Sequence, residues 1–282
     1  MSRAGGMHVP GVIKKLVNSG SRPCPPGWLT RGVSSPRMKG SMSINPEYQN
    51  VLVVGGGTGI GLGIARAFEE AGYKVAVAGR RKEVLEGAVA GTGMRMHCCD
   101  VVDREQIETL LKWFEEEVGQ VDILVFSAGV NIPRRRWDDF EPESWDRVVQ
   151  INLTGAYNVI QAVLPAMRER GDGLIFNVTS LAGSQSVHLA GVPYSAAKSG
   201  QNSLGLLANL EALPDGVRVT NVIPGETNTP ILDDRPLPPP EEERIRMVYP
   251  EDIAQMVLAV ARLPRRAVVP ELIVTPAHMP RL

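Results

Sequence analysis

Cysteine is scarce in this chain: 282 residues hold three, Cys24, Cys98 and Cys99. An odd number, two of them adjacent, makes an awkward disulfide framework, and no secretory signal is evident. A reducing compartment, most simply the cytoplasm, is therefore expected, and a disulfide-stapled fold is excluded. No apolar run of ~18 residues occurs, so no membrane span is expected. Excess charge of one sign is missing as well. The formal net charge is −1, which points to neither nucleic acid nor a membrane surface as partner. Acidic residues are missing from positions 1–46, which carry seven Lys/Arg. The remainder then holds 23 basic and 31 acidic residues, a balance of −8. What is present is ordinary: 43% hydrophobic and 22% charged residues, enough for a sizeable core.

Residues 1–46 also carry six prolines and many Gly and Ser, without a sustained apolar period. They are expected to form a basic extension outside the folded domain. Three origins stay open: an organelle transit peptide, a disordered tail, or an upstream start with the working protein beginning near Met42. From Asn50 the pattern changes. Val51–Val54 is a short apolar run ending in glycines, as expected of a buried parallel strand. Further strands are expected at Lys74–Ala78, Met94–Cys98, Asp122–Phe126, Leu174–Thr179, Val217–Ile223 and Leu272–Val274. Helices fall between them, including a long one over about Glu143–Arg168 and a last one over about Glu251–Arg262. This alternation predicts βαβ units in one doubly wound parallel sheet, a Rossmann fold, occupying residues 47–282 as a single α/β domain.

Between the first strand and first helix lies Gly55-Gly-Gly-Thr58-Gly59-Ile60-Gly61. Glycines there allow a tight turn and close backbone approach to a pyrophosphate, and the helix N-terminus adds a favourable dipole. Thr58 adds a hydroxyl. The second strand ends in Gly79-Arg80-Arg81, where an NAD site usually has an acidic residue for the ribose 2′-OH. Guanidinium groups suit a 2′-phosphate, so NADP is the expected cofactor. The alternative is a pair of solvated arginines opening a helix. Further along, Tyr194-Ser-Ala-Ala-Lys198 puts a phenol and an ammonium on one helix face. A free phenol has a pKa of about 10, and a neighbouring ammonium favours the phenolate, making a usable general acid/base. Ser180 lies upstream, in Asn177-Val-Thr-Ser180.

Taken in this order, the glycine turn, the serine and the Tyr–Lys pair resemble the short-chain dehydrogenase/reductase superfamily, from about Val51 to Thr275. Val54 stands where the family's glycine motif has Thr, and Ser127 replaces the second Asn of its Asn-Asn-Ala-Gly segment, here Phe126-Ser127-Ala128-Gly129. The resemblance implies hydride transfer between a nicotinamide and a carbonyl or alcohol, with Ser180, Tyr194, Lys198 and Asn152 as the catalytic set. In that scheme Tyr194 moves the proton, Lys198 supports it and bonds the nicotinamide ribose, Ser180 holds the carbonyl oxygen, and the Asn152 backbone holds a water. It further implies adenine contacts at Asp100 and Val101, and nicotinamide contacts along Pro224, Gly225, Thr227 and Thr229. Homodimers or homotetramers through the helices at about 143–168 and 192–212 are implied too. A general carbonyl reductase, a biosynthetic ketoreductase or 3-oxoacyl reductase, and a non-catalytic NADP-binding protein stay open as functions.

Other signals are weaker. Arg134-Arg-Arg136 is either a solvated loop or an attractor for an anionic substrate. His188 lies on a segment expected to border the substrate and is either a substrate contact or a plain loop residue; Glu226 faces either substrate or solvent. His97-Cys-Cys lacks a second ligand cluster, so no metal is expected. Ile231–Val248 reads as a short, Pro-rich lid over a modest pocket.

Overall fold

The computed structural model describes residues 48–185 and 187–279; the extension expected at 1–46 lies outside the described residues. Apolar runs become the strands Asn50–Val54 (β1), Lys74–Gly79 (β2), Arg95–Cys98 (β3), Ile123–Phe126 (β4), Gly173–Val178 (β5), Val217–Pro224 (β6) and Glu271–Val274 (β7). All pair in parallel, in the order β3-β2-β1-β4-β5-β6-β7. The order reverses between β1 and β4, and in such sheets ligands bind outside the carboxyl ends of the strands at that reversal.

Helices cover both faces: Gly59–Glu70 (α1), Lys82–Val89 (α2), Arg104–Glu117 (α3), Pro142–Val149 (α4), Gly155–Arg170 (α5), Leu181–Ser184 (α6), Val192–Ala212 (α7), Glu241–Arg244 (α8) and Pro250–Ala261 (α9). Strand alternation divides the core. Val51 and Val53 of β1 pack in one cluster with Ile64 and Phe68 of α1 and Ile253 and Val257 of α9. Leu52 and Val54 pack in the other with Leu110 and Phe114 of α3 and Val159 of α5. All four β1 residues are fully buried, each contributing roughly 1.5–3 kcal/mol. Helix α3 shows how the sequence sets a boundary. The Asp103 carboxylate accepts from Glu105 N at 3.0 Å and Gln106 N at 3.1 Å, capping the first turn, while Ile107, Leu110 and Phe114 form its buried stripe.

Two departures from the sequence pattern matter. The long helix expected over 143–168 is interrupted by a π-helical turn at Gln150–Thr154, between α4 and α5. Its cause is Asn152: Oδ1 accepts from Val130 N at 2.8 Å and Nδ2 donates to Val130 O at 2.9 Å. The carboxamide binds the loop after β4 like a strand partner and widens the helix there. Helix α2 shows little apolar period in the sequence, since its eight residues bury just Leu85 and Ala88.

At the end of the sheet away from the site, Tyr48 joins distant segments. Its hydroxyl donates to Asp172 Oδ1 at 2.6 Å and accepts from Arg218 Nη2 at 3.0 Å. Arg265 Nη2 donates to the other Asp172 oxygen at 2.6 Å. Burial, with Asp172 acting the same way, pushes the Tyr48 phenol up to about 12.

Candidate active site

The loops after β1, β2 and β4 enclose a cleft of about 520 Å³. Two glycines shape it. Gly55 has φ +84, and a Cβ there would lie 2.4 Å from Ala128 N; a Cβ on Gly61 would lie 2.2 Å from Gly55 O. The turn therefore folds onto itself and onto the β4 loop, with no room for side chains. Helix α1 begins at Gly59, its Thr58 side chain makes no capping bond, and its first turn holds no acidic residue. The first N–H groups of α1 are left to a ligand, at the positive end of the helix dipole. Arg80 and Arg81 line the far part of the cleft, and Arg80 Nη1 lies 4.0 Å from Asp100 Oδ2. Open helix donors, a side-chain-free turn and two guanidinium groups fit a phosphorylated dinucleotide.

Of the positions read as cofactor-binding, Gly55, Thr58, Gly59, Ile60, Arg80, Arg81, Val101, Ser127, Ala128, Gly129, Tyr194, Lys198 and Thr229 line this cleft. Gly61 is buried beneath the turn, and Asp100 sits behind Arg80. Pro224, Gly225 and Thr227 instead line a second, smaller cavity of about 170 Å³, together with Ser180. Tyr194, Thr179, Thr229, Ile60 and Ile231 line both, so the phenol stands where the two spaces meet.

Helix α7 carries Tyr194 and Lys198, and its start is set by Pro193 in the first turn. Lys198 is buried, and Nζ donates to Val178 O at 3.1 Å and Gln201 Oε1 at 2.8 Å. Gln201 Nε2 donates to Asn177 Oδ1 at 2.6 Å, and Asn177 Nδ2 donates to Asn221 Oδ1 at 2.8 Å. A buried amide chain thus runs under the site from α7 across β5 and β6. Ser180 begins α6, where Oγ accepts from Ala182 N at 3.1 Å. Asn152 is fully buried and ties the Val130 backbone into the floor near Lys198.

Electrostatics differ from the simple pairing of phenol and ammonium. Burial pushes the Tyr194 phenol above its usual value, while the Ser180 hydroxyl bonded to it and the charges of Arg135 and Arg235 pull it down. Burial brings Lys198 down to about 7. Its Nζ lies 5.7 Å from the Tyr194 ring centroid, turned toward Val178 and Gln201. The serine and the two arginines supply a downward pull on the phenol beyond what the Tyr–Lys spacing shows.

Several lining residues carried no sequence signal. Arg147, Ile151 and Val84 line the cleft; Asn131, Leu189 and Arg235 line the cavity. Glu226 lines the cavity too, whereas His188 is exposed and lines neither. The expected lid is pinned at both ends: Asn228 N donates to Val248 O at 2.8 Å and Val248 N donates to Glu226 O at 3.1 Å.

A seven-stranded parallel sheet with a cleft at its reversal point defines a Rossmann-type fold. Residues 49–237 match the short chain dehydrogenase family, and the chain belongs to that family. It is 32% identical over 265 residues to a glycine betaine reductase from Emericella nidulans, covering 90% of this chain but only 21% of that much longer protein. Among solved structures it is similar to a serine dehydrogenase complexed with NADP+, with TM-score 0.75 and 29% identity over 83% of this chain and 97% of that one. It is also similar to an actinorhodin polyketide ketoreductase variant with NADPH, with TM-score 0.72 and 33% identity over 80% and 95% of the two chains.

Proposed function

We propose that this protein is an NADP-dependent oxidoreductase that interconverts a carbonyl and an alcohol of a small substrate, with Tyr194 as general acid/base. The observation that carries the reading is the position of Tyr194 in the shared wall of the dinucleotide cleft and the 170 Å³ cavity. A proton delivered there reaches an atom lying beside the nicotinamide end of the cleft. NADPH, when bound, supplies the hydride. Ser180 holds the substrate oxygen where negative charge develops, and Tyr194 gives it a proton or takes one from the alcohol. Lys198, held by Val178 and Gln201, bonds the nicotinamide ribose. Asn152 keeps the Val130 backbone and the adjoining helix turn in register with them. Arg80 and Arg81 bind the 2′-phosphate; the NADP and NADPH of the two solved relatives support this choice.

The small cavity fits a small polar substrate better than a long acyl chain, and serine and glycine betaine, given in the relatives' names, are of that size. Exposed Tyr157, Leu207 and Leu210 on α5 and α7 support assembly as a homodimer or homotetramer.

The test is Tyr194→Phe. Carbonyl-dependent NADPH oxidation is expected to fall by about a thousandfold or more, within the range for a positioned acid plus its hydrogen bond, while NADPH binding by fluorescence is retained. Turnover close to wild type refutes the assignment.

A further inference from the structure

The Arg134-Arg135-Arg136 run divides in the fold. Arg134 and Arg136 are exposed, whereas Arg135 is 4% exposed. Buried arginines are rare unless paired, yet Arg135 belongs to none of the ion pairs among the described residues. Nη2 donates to Asp234 O at 2.6 Å and Nη1 to Leu189 O at 3.3 Å; Nε has no partner. A guanidinium has five N–H groups; with two used and Nε enclosed by protein, one on each terminal nitrogen is left for a ligand.

The fold seats this side chain on purpose-built backbone. Val192 N donates to Arg135 O at 3.0 Å. Gly191, with φ +82, passes directly over the arginine stem: a Cβ there would lie 2.5 Å from Arg135 Cβ and 2.6 Å from its Cγ. The glycine that opens the Tyr194 helix therefore also makes the space that Arg135 fills. Arg135 lines the 170 Å³ cavity with Ser180 and Tyr194.

Other charges around the cavity do not cancel it. Arg235 also lines it and donates to Glu226 Oε1 at 3.0 Å. Two guanidiniums and one carboxylate leave 2 − 1 = +1. Asp234 and Asp139 act on Arg135 at longer range; Asp234 is exposed, and Asp139 Oδ1 already accepts from Arg136 N at 2.6 Å. Arg235 and burial both weigh against the Arg135 charge, a cost that an anion in the cavity offsets.

We propose that the substrate carries an anionic group, a carboxylate, that Arg135 binds while the reacting carbonyl or alcohol carbon faces Ser180 and Tyr194. The cavity volume restricts it to a small oxo- or hydroxy-acid, and Glu226 holds Arg235 in place beside it. This deepens the function proposed above and rests on it. A guanidinium suits a carboxylate because planar donors meet planar acceptors.

Initial rates with NADPH test it, using pyruvate, acetoacetate and levulinate, each beside its methyl ester, on wild type, Arg135→Gln and Arg135→Lys. At least one acid is expected to exceed its ester in kcat/KM by about tenfold, and Arg135→Gln to lower that ratio by about tenfold or more, as for a lost buried charge partner. Arg135→Lys keeps part of the preference. Esters used as well as acids throughout, or a ratio unchanged in Arg135→Gln, overturn the proposal. Melting temperature and NADPH binding separate misfolding from lost recognition; if Arg135→Gln does not fold, the wild-type ratio and its fall in Arg135→Lys decide. If no carbonyl is reduced, the oxidoreductase reading fails on its own terms. Calorimetric titration of acetoacetate and levulinate into NADP-saturated protein then still decides the anion site: binding lost in the Arg135 variants supports it, and no binding to wild type overturns it.

Discussion

Replacing Gln201 by leucine tests whether the amide chain beneath the site holds Lys198 in place. Gln201 is fully buried. The change removes its bond from Lys198 Nζ at 2.8 Å and its donations to Asn177 Oδ1 at 2.6 Å and Val178 O at 3.2 Å. A bond to a charged group contributes about 1.5–3 kcal/mol and each neutral one about 1 kcal/mol, and leucine burial offsets about 2 kcal/mol. The net loss is about 2 kcal/mol, a fall in melting temperature of about 4–8 °C for a domain of this size. Lys198 is left with Val178 O alone, and kcat is expected to fall by about tenfold or more through its misplacement. Gln201→Glu separates position from mere packing. It keeps an acceptor on the ammonium, so the pKa of Lys198, about 7 in the parent, moves up; in Gln201→Leu it moves down. Calorimetry and pH–rate profiles of the three proteins give the answer. Equal melting temperatures, or profiles of the two variants that do not move apart, refute the reasoning.

Converting both Arg80 and Arg81 to alanine is expected to raise the KM for NADPH by about a hundredfold, as when two charge-assisted bonds are lost, and to leave the KM for NADH within about threefold; steady-state kinetics with both cofactors checks it, and parallel losses refute it. Stability of the cofactor-free protein carries a pH signature from Lys198. Its folded pKa, about 7, lies below its unfolded value, so between about pH 7 and 10 the unfolded chain binds more protons and stability rises with pH. Denaturant unfolding at pH 7 and 9.5 should show this rise in wild type and a smaller one in Lys198→Met. An identical slope in both excludes Lys198 as its source.

The strands were legible because a parallel sheet covered on both faces needs continuous apolar runs, and Val51–Val54 and Ile123–Phe126 supply them. The glycine turn was legible because its residues are dictated by sterics alone: no side chain fits between Gly61 and Gly55 O. Helix α2 was faint, since a helix at the sheet margin buries two residues and shows little period. The π-turn at Asn152 could not be read, because its cause is a backbone partner 22 residues away. The inward turn of Arg135 was equally hidden: three consecutive arginines look alike until Gly191, 56 positions later, opens a slot for one of them. The arginines that act on Tyr194 are hidden for a related reason. Spacing shows that Lys198 is near, but not that burial reduces its charge or that Arg235 arrives from another loop.

The two hydrogen bonds that pin Val248 to Glu226 and Asn228 close residues 229–247 into a loop whose ends are fixed on the sheet's side of the cavity. Closing a flexible loop costs only about 0.6 kcal/mol more for each doubling of its length. Inside this staple the stretch 236–247, beyond Thr229, Ile231, Asp234 and Arg235 that serve the cleft and the cavity, can lengthen, shorten or change composition while β6, the glycine turn and helix α7 stay where they are. Selectivity can thus drift in one cassette as the proton-transfer apparatus is inherited unchanged, which makes this segment the natural place to graft a new substrate preference onto the same chemistry.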